Sequence, residues 1–238
     1  MKAKGQMNVL ILTGAGISAE SGIATFRDSN GLWENHRLED VATPAAFARD
    51  PVLVHRFYNA RRAQLLQSSV KPNTAHRALA EFERDHVGNF MLVTQNIDDL
   101  HQRAGSQNVL PMHGQLLKVR CVDTGELFDW RDDLDSSSPH PLWPERIGRL
   151  RPHVVWFGEM PIGLDTIDSA ARHADVFISI GTSGVVYPAA GIVRSTMPSC
   201  RRFEINTQST PTSVEFDESL VGPASVEVPK LLQRIAVG

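Results

Sequence analysis

The segment VLILTGAG, residues 9–16, restricts the possible folds more than any other part of the chain. Its four apolar residues are typical of a buried strand, and Gly14 and Gly16 permit a turn that larger side chains would obstruct. With Ala19 they match G-x-G-x-x-G/A, which joins a strand to a helix where backbone N–H groups hold a pyrophosphate. The segment predicts a strand–turn–helix unit, with either a phosphate-binding or a purely structural turn.

Apolar runs recur along the chain with helical stretches between them. Buried parallel strands are predicted at residues 8–12, 90–94, 153–157, 176–180 and 202–206. A helix is predicted behind an Asn73 N-cap, with Ala75, Leu79 and Phe82 at helical spacing, and another is predicted to end at Gly105. This alternation predicts an α/β fold with a Rossmann-like parallel sheet.

Two segments do not follow the alternation. Residues 31–71 contain no clear strand and are predicted as a loop followed by a helix. Residues 117–150 are predicted as a hairpin with its turn at 123–125, followed by a Ser- and Pro-rich tip. We therefore expect one domain over residues 1–238, with a small module at 31–71 and 117–150 and a sheet part at about 1–30, 72–116 and 151–238.

Composition restricts the partners and the compartment. The chain has 24 basic and 27 acidic side chains and a formal charge of −3, so a nucleic-acid partner is not expected. Cys121 and Cys200 form no CxxC pair, which favours a reducing compartment. No apolar run approaches the ~20 residues of a membrane span, and the first is too short for a signal peptide. We expect a cytoplasmic monomer with no membrane contact.

Polar residues follow several predicted strands. A dehydrogenase of this fold should show a second strand ending in Asp or Glu about 20 residues after the glycine turn, but that region is turn-like, which disfavours hydride transfer. Instead, Asn96 and Asp98 follow the strand at 90–94, His113 follows the next apolar segment, and GTSG (181–184) follows the strand at 176–180. Parallel sheets bind ligands at such strand ends, so these loops are expected to form one cleft.

The motifs GAGISAESGIATFRD, TQNID, MHG, HVVWFGE, GTS and EIN occur in this order along almost the whole chain. In this order and spacing the sequence resembles the sirtuin family of NAD-dependent protein-lysine deacylases, and within it the bacterial class III (CobB-type) branch. The resemblance implies NAD as cofactor and acylated-lysine proteins as partners. It also implies deacetylase and desuccinylase or demalonylase activity, releasing nicotinamide and 2′-O-acyl-ADP-ribose.

The resemblance also implies which residues carry the chemistry. His113 would be the general base that takes a proton from a ribose hydroxyl, for which a near-neutral pKa is suitable. Asn96 would hold the ribose and a water, and Asp98 would accept from the nicotinamide carboxamide. From the residues alone, Asn96 and Asp98 would equally suit a helix cap.

The remaining cofactor positions carried over from the family lie in several segments of the chain. Phe26 would shield the nicotinamide and Arg27 would order the cofactor loop, although a core Phe and a surface Arg are the ordinary uses of these residue types. The full cofactor set is Gly14, Ala15, Gly16, Ser18, Ala19, Phe26, Arg27, Trp33, Gln95, Asn96, Ile97, Asp98, Gly181, Thr182, Ser183, Asn206 and Ala224.

Residues 57–65 are expected to be helical, which puts Tyr58 and Arg61 on one face. In the class III branch this pair reaches the end of the acyl pocket, where Arg61 would grip a terminal carboxylate. Without the family match, a surface helix with solvated Arg61 and Arg62 is the simpler interpretation. Residues 154–159 would pair with the substrate backbone as an added strand, which adds Val155, Phe157, Gly158 and Glu159 to the expected substrate set.

No complete metal site is expected. The family usually holds a structural zinc with cysteines in the small module, but Cys121 is the only cysteine at an expected position. His140 could supply one further ligand, and no set of four is visible. The module is then expected to be held by packing of Trp130, Leu142 and Trp143.

Two other functions remain open from the sequence. One is an NAD-dependent ADP-ribosyltransferase, and the other is a non-catalytic protein that binds NAD or ADP-ribose. The presence of His113, Asn96 and Asp98 together disfavours the non-catalytic protein.

Overall fold

The computed structural model describes residues 6–24, 32–33 and 36–237. The strands are β1 Val9–Thr13, β2 Leu32–Trp33, β3 His36–Arg37, β4 Phe90–Thr94, β5 Val109–Pro111, β6 Gly114–Cys121, β7 Leu127–Asp129, β8 Leu150–Val154, β9 Val176–Ile180, β10 Arg201–Asn206 and β11 Glu218–Val221. The α-helices are α1 Ala15–Ser18, α2 Leu38–Val41, α3 Pro44–Arg49, α4 Pro51–Leu65, α5 Thr74–Asp85, α6 Leu100–Ala104, α7 Leu164–His173 and α8 Ala224–Val237.

The main sheet has six parallel strands in the order β11-β10-β9-β1-β4-β5. The predicted Rossmann-like parallel sheet is confirmed, with the first apolar run as its central strand β1 between β4 and β9. Two of its strands were not predicted. β5 is an apolar segment of only three residues, and β11 alternates half-buried and exposed residues at the sheet edge.

The sheet is covered on both faces. Within β1, Val9 and Ile11 pack against α5 and α8, whereas Leu10 and Leu12 pack with α7 on the opposite face. Successive strand residues point to opposite faces, so a strand covered on both sides needs apolar residues throughout. This explains the unbroken run that predicted β1.

Two helix ends are fixed by the residues that the sequence indicated. Asn73 caps α5 by accepting from the backbone N–H of Ala75 at 2.9 Å, and its Nδ2 donates to the Ile17 carbonyl at 2.7 Å. The cap therefore also ties α5 to α1. Gly105 ends α6 with φ +109, a left-handed conformation that glycine adopts without a side-chain clash. Both predictions are confirmed.

The prediction of a parallel strand at residues 153–157 is wrong. The strand there, β8, ends at Val154 and pairs antiparallel with β6 in a separate sheet of order β7-β6-β8. Leu150 packs in a cluster of the small module, whereas Val154 packs against residues of α4. Only His153 and Val154 of the predicted segment lie in β8, and the apolar residues 155–157 follow it. An apolar run indicates burial, but it does not reveal whether the segment is a strand or which strand it pairs with. The hairpin of β6 and β7, by contrast, is confirmed.

The segment after the glycine turn contains more regular structure than expected. A two-residue antiparallel ladder pairs Leu32 with Arg37 and Trp33 with His36, so the expectation of no strand there is wrong. Helices α2, α3 and α4 follow. α4 begins after Asp50, whose side chain accepts from the Leu53 amide at 2.9 Å.

The small antiparallel sheet has its own apolar cluster of Val119, Cys121, Leu134 and Leu150, against which Trp130 packs as expected. Trp143 instead packs on His140, with ring centroids 4.6 Å apart. Leu142 is 57% exposed, so its expected packing role is wrong. Among residues 6–24, 32–33 and 36–237, no group of three or more His, Cys, Asp or Glu side chains could hold a metal. Cys121 and His140 thus do not fit a zinc site.

We expect purified protein to contain no stoichiometric zinc and to keep its melting temperature when a chelator is added. Cys121 is 1% exposed within apolar packing, so Cys121→Val should also keep the fold, whereas loss of a zinc ligand removes folding free energy. Metal analysis and thermal melting with and without chelator test this. One zinc per chain, lost together with thermal stability, would contradict it.

In the part of the chain that is described, every helix is too short or too polar to cross a bilayer.

Candidate active site

A cavity of about 400 Å³ opens at the carboxyl ends of β1, β4, β9 and β10 and reaches α4 and the segment after β8. Its lining includes these residues expected from the sequence: Gly14, Ala15, Gly16, Ser18, Ala19, Tyr58, Arg61, Gln95, Asn96, Ile97, Asp98, His113, Val155, Phe157, Gly158, Glu159, Gly181, Thr182, Ser183, Asn206 and Ala224. Phe26, Arg27 and the side chain of Trp33 lie outside the described residues. The predicted convergence of loops from separate strands is confirmed.

The glycine turn after β1 packs directly against the turn after β9. The Gly16 amide donates to the Gly181 carbonyl at 2.9 Å, and a Cβ on Gly16 would lie 2.7 Å from Gly181 Cα. Gly181 itself has φ +62. The two backbones therefore approach too closely for side chains, which gives both glycines a local reason beyond any ligand. The contact also holds two walls of the cavity together.

A hydrogen-bonded chain links Asn96, Ser18 and Asp98. Asn96 Nδ2 donates to the Gly14 carbonyl at 3.2 Å and to Ser18 Oγ at 3.1 Å. Ser18 Oγ in turn donates to Asp98 Oδ2 at 2.9 Å. The other oxygen of Asp98 accepts from the Leu100 amide at 3.0 Å, so this residue also serves the helix-end role considered from the sequence. Both strand-end loops are thus fixed to each other.

Asp98 is half-buried in the wall of the cavity. Burial raises the pKa of Asp98 to about 6, although the hydrogen bonds from Leu100 and Ser18 oppose the shift. A carboxyl group with a raised pKa inside a cavity is a common feature of functional sites. It can accept a hydrogen bond from a neutral amide of a ligand as well as from Ser18.

His113 lies between β5 and β6, and its ring is anchored by the backbone. Its Nδ1 is 3.0 Å from the Gln95 carbonyl oxygen. Because a carbonyl oxygen only accepts, Nδ1 must carry the proton, which leaves Nε2 as the basic nitrogen. Burial lowers the pKa of His113, while the hydrogen bond to Gln95 acts in the opposite direction. The imidazole is therefore neutral at pH 7 and able to take up a proton.

We expect His113 to titrate below about 6.5, the pKa of an unperturbed imidazole, and to be protonated on Nδ1 when neutral. The reason is its burial together with the bond to Gln95. NMR titration of histidine-labelled protein, assigned with the His113→Ala spectrum, measures both properties. A higher pKa, or a neutral form protonated on Nε2, would contradict the geometry.

The far end of the cavity is formed by β9, β10 and the start of α8. Asn206 Nδ2 donates to the Thr182 carbonyl at 2.6 Å, and the Thr182 hydroxyl lies 3.0 Å from the Ser179 hydroxyl. Near Ala224, the Ser225 hydroxyl donates to Glu20 at 2.6 Å and so connects α8 to the segment after α1. These bonds fix a hydroxyl- and amide-rich wall beside the glycine turn.

Tyr58 and Arg61 lie on the face of α4 that lines the opposite end of the cavity. The Tyr58 side chain is fully buried. The Arg61 guanidinium carbon lies 3.6 Å from the centre of the Phe57 ring, and its Nη1 donates to the Phe57 carbonyl at 2.7 Å. Arg62 is 1% exposed and bonds to the Leu116 carbonyl. The alternative of a surface helix with two solvated arginines is therefore wrong.

The substrate segment after β8 is a turn rather than a continuous strand. The Val155 amide donates to the His113 carbonyl, the Phe157 amide to Ala42 and the Glu159 amide to Trp156, each at 2.9 Å. These bonds occupy three backbone N–H groups of the segment. Pairing of a substrate backbone over residues 154–159 stays a prediction.

Sequence reasoning did not single out Trp156, although it lies within HVVWFGE. Its indole Nε1 donates to the Tyr58 hydroxyl oxygen at 2.9 Å, and the ring is 2% exposed. The sequence did contain a signal for Trp156, because a tryptophan in a buried run needs an acceptor for its indole N–H. Arg151, whose guanidinium lies 3.3 Å from the Trp156 ring centre, was missed as well.

Comparisons with known proteins agree with this geometry. Residues 14–188 match the sequence model of the Sir2 family. The chain is 65% identical over 237 residues to the "NAD-dependent protein deacylase" of Rhodopirellula baltica, covering 97% of this chain and 99% of the relative. It is 52% identical over 238 residues to the protein of the same name from Salmonella typhimurium, covering 97% and 84%. A solved ADP-ribose complex of a Sir2 homologue mutant superposes with TM-score 0.87 at 40% identity, covering 100% and 98%.

Proposed function

This chain belongs to the Sir2 family, and on that premise we propose that it is an NAD-dependent protein-lysine deacylase. The observation that carries the proposal is the convergence in one cavity of three parts. These are the glycine turn after β1, the Asn96–Ser18–Asp98 chain and a histidine anchored through Nδ1. This set can hold a dinucleotide, orient its nicotinamide end and move a proton beside it.

The residues of the cavity fit NAD. Thr182, Ser183 and Asn206 offer hydroxyl and amide groups for the phosphates and the adenosine ribose, next to the glycine turn. Phe26, Arg27 and Trp33 are proposed as further contacts on the strength of the family motifs. NAD supplies the chemistry of a nicotinamide leaving group, and the chain supplies orientation and proton transfer.

We assign orientation to Asn96 and Asp98. Asn96 is fixed by its donations to Gly14 and Ser18, which leaves its side-chain oxygen to face a ribose hydroxyl or a water. Asp98 would accept from the carboxamide N–H of the nicotinamide. His113, with Nε2 basic and the ring held by Gln95, would take a proton from a ribose hydroxyl while the acyl group is transferred.

The other end of the cavity would hold the acyl-lysine. Arg61 is stacked on Phe57, so its guanidinium is ordered before a ligand arrives. An acyl group that ends in a carboxylate, such as succinyl or malonyl, could receive hydrogen bonds from Arg61 and the Tyr58 hydroxyl. Acetyl-lysine is smaller and neutral and would fit without using Arg61. We therefore propose activity on acetyl-, succinyl- and malonyl-lysine.

One incubation distinguishes this function from the two alternatives. The protein is mixed with NAD and peptides bearing acetyl-, succinyl- or malonyl-lysine, and the products are identified by mass. We expect free nicotinamide, deacylated peptide and acyl-ADP-ribose, with none of them in the absence of NAD. Peptide that gains ADP-ribose would indicate a transferase, and NAD bound but not consumed would indicate a binding protein.

We further propose that the enzyme acts as a cytoplasmic monomer on protein substrates. The formal charge of −3 gives no general attraction to nucleic acid. Light scattering after gel filtration should give the mass of one chain. A stable dimer would contradict the monomer without affecting the proposed reaction.

A further inference from the structure

We propose that Trp156 is a positioning residue for acyl selectivity, because its indole N–H directs the Tyr58 hydroxyl to donate toward a carboxylate at the end of the acyl group. Arg151 and Glu159 would hold the indole in place. This inference rests on the proposed deacylase function and on the assignment of Tyr58 and Arg61 to the acyl end of the cavity.

The first step concerns the direction of the Tyr58 proton. A phenol oxygen carries one proton and can accept through its lone pairs. The indole Nε1 of Trp156 is a donor only, and it lies 2.9 Å from the Tyr58 oxygen with both side chains buried. The oxygen therefore acts as the acceptor in this bond, so the Tyr58 proton must be directed away from the indole. Both residues line the cavity, at the end that is assigned to the acyl group.

The second step concerns what holds the indole. The Arg151 guanidinium carbon lies 3.3 Å from the Trp156 ring centre, and its two terminal nitrogens donate to the two oxygens of Glu159 at 2.7 and 3.0 Å. Glu159 also accepts from the Trp156 amide at 2.8 Å. The ring and its own backbone are thus fixed through one ion pair. Bidentate arginine–carboxylate pairs of this kind are geometrically strict.

The third step concerns charge. Arg151 is 7% exposed and is paired with Glu159, which also forms an ion pair with Arg120 at 3.4 Å. The cation beside the indole is therefore already ion-paired, and Arg61 is the cation assigned to the acyl carboxylate. An acetyl group presents no carboxylate to Tyr58. The direction of the Tyr58 proton should therefore affect only acyl groups that end in a negative charge.

The test is a double-mutant cycle on Trp156 and Tyr58. Trp156→Phe keeps an aromatic ring for Arg151 but removes the N–H donor. We expect the ratio of kcat/KM for succinyl- over acetyl-peptide to fall about three- to tenfold, the usual net effect of one lost hydrogen bond. In the Tyr58→Phe background, the same substitution should change the ratio no further, because the hydroxyl that it acts through is absent.

If Trp156 had a purely structural role, Trp156→Phe would lower both the succinyl and the acetyl activity. It would do so whether residue 58 is Tyr or Phe. An unchanged ratio in Trp156→Phe, or an equal fall with and without Tyr58, would overturn the inference. If Trp156→Phe does not fold, Arg151→Lys replaces it in the cycle, since it keeps the charge opposite Glu159 but loses the planar stack. Wild-type turnover of both peptides, measured alongside, tests the proposed function separately.

Discussion

His113→Ala is expected to lower kcat/KM for deacylation by about 10²- to 10⁴-fold, the usual contribution of a general base. The fold should survive, because the imidazole lines a cavity and its main fixed contact is one bond to the Gln95 carbonyl. Much of the NAD affinity should survive as well, since a base acts on the rate more than on ground-state binding. Steady-state kinetics, NAD titration and thermal melting measure the three quantities.

His173→Ala is the matched control. His173 is exposed at the end of α7 and is absent from the lining of the cavity, so its loss should leave turnover near the wild-type value. Near-normal turnover in His113→Ala would show that the proposed mechanism is wrong. Loss of NAD binding together with turnover would mean that His113 acts mainly in holding the cofactor.

The double substitution Tyr58→Phe with Arg61→Met is expected to collapse desuccinylation while deacetylation falls much less. Hydrogen bonds to a charged group contribute about 1.5–3 kcal/mol each, and each 1.4 kcal/mol is about tenfold in kcat/KM. Arg61 also stacks on Phe57, which the unbranched Met side chain can still cover. The measurement is kcat/KM on matched acetyl- and succinyl-peptides of one sequence.

Arg56→Met serves as the control for charge alone, because Arg56 lies exposed on the same helix α4. It should leave the succinyl-to-acetyl ratio unchanged. If the double variant loses both activities equally, or neither, then Tyr58 and Arg61 do not select the acyl group. That result would leave the proposed reaction intact and remove only its acyl preference.

The parts of the fold that could be predicted are those in which a local sequence pattern determines local structure. β1 was recognisable because burial on both faces requires unbroken apolar residues, and α5 because Asn73 both caps it and precedes a periodic apolar face. The run at 153–157 was assigned to the main sheet because apolar residues indicate burial and say nothing of a strand's partner. Partner choice depends on residues far away in the chain, such as those of β6.

The candidate site was predictable for a related reason. Parallel strands bring their carboxyl ends to one edge, so the sequence alone predicts that Gly14, Asn96 and Gly181 lie close together, as they do. The role of Trp156 could not be reached in this way. It depends on a 2.9 Å contact with Tyr58, which is 98 residues away in sequence. Contacts of this kind are created by packing between elements and leave no periodic signal.

The position of His113 between the two sheets has a mechanical consequence. The chain leaves β5 and enters β6 through His113, and the returning segment after β8 is bonded there, since the Val155 amide donates to the His113 carbonyl at 2.9 Å. A Cβ on Gly114 would lie 2.2 Å from the His153 carbonyl oxygen, so the backbone at Gly114 and the backbone at His153 are in direct contact. In a rigid rotation, the displacement of an atom grows with its distance from the axis of rotation. Any rotation of the small sheet about this junction would therefore move its outer end much farther than the imidazole.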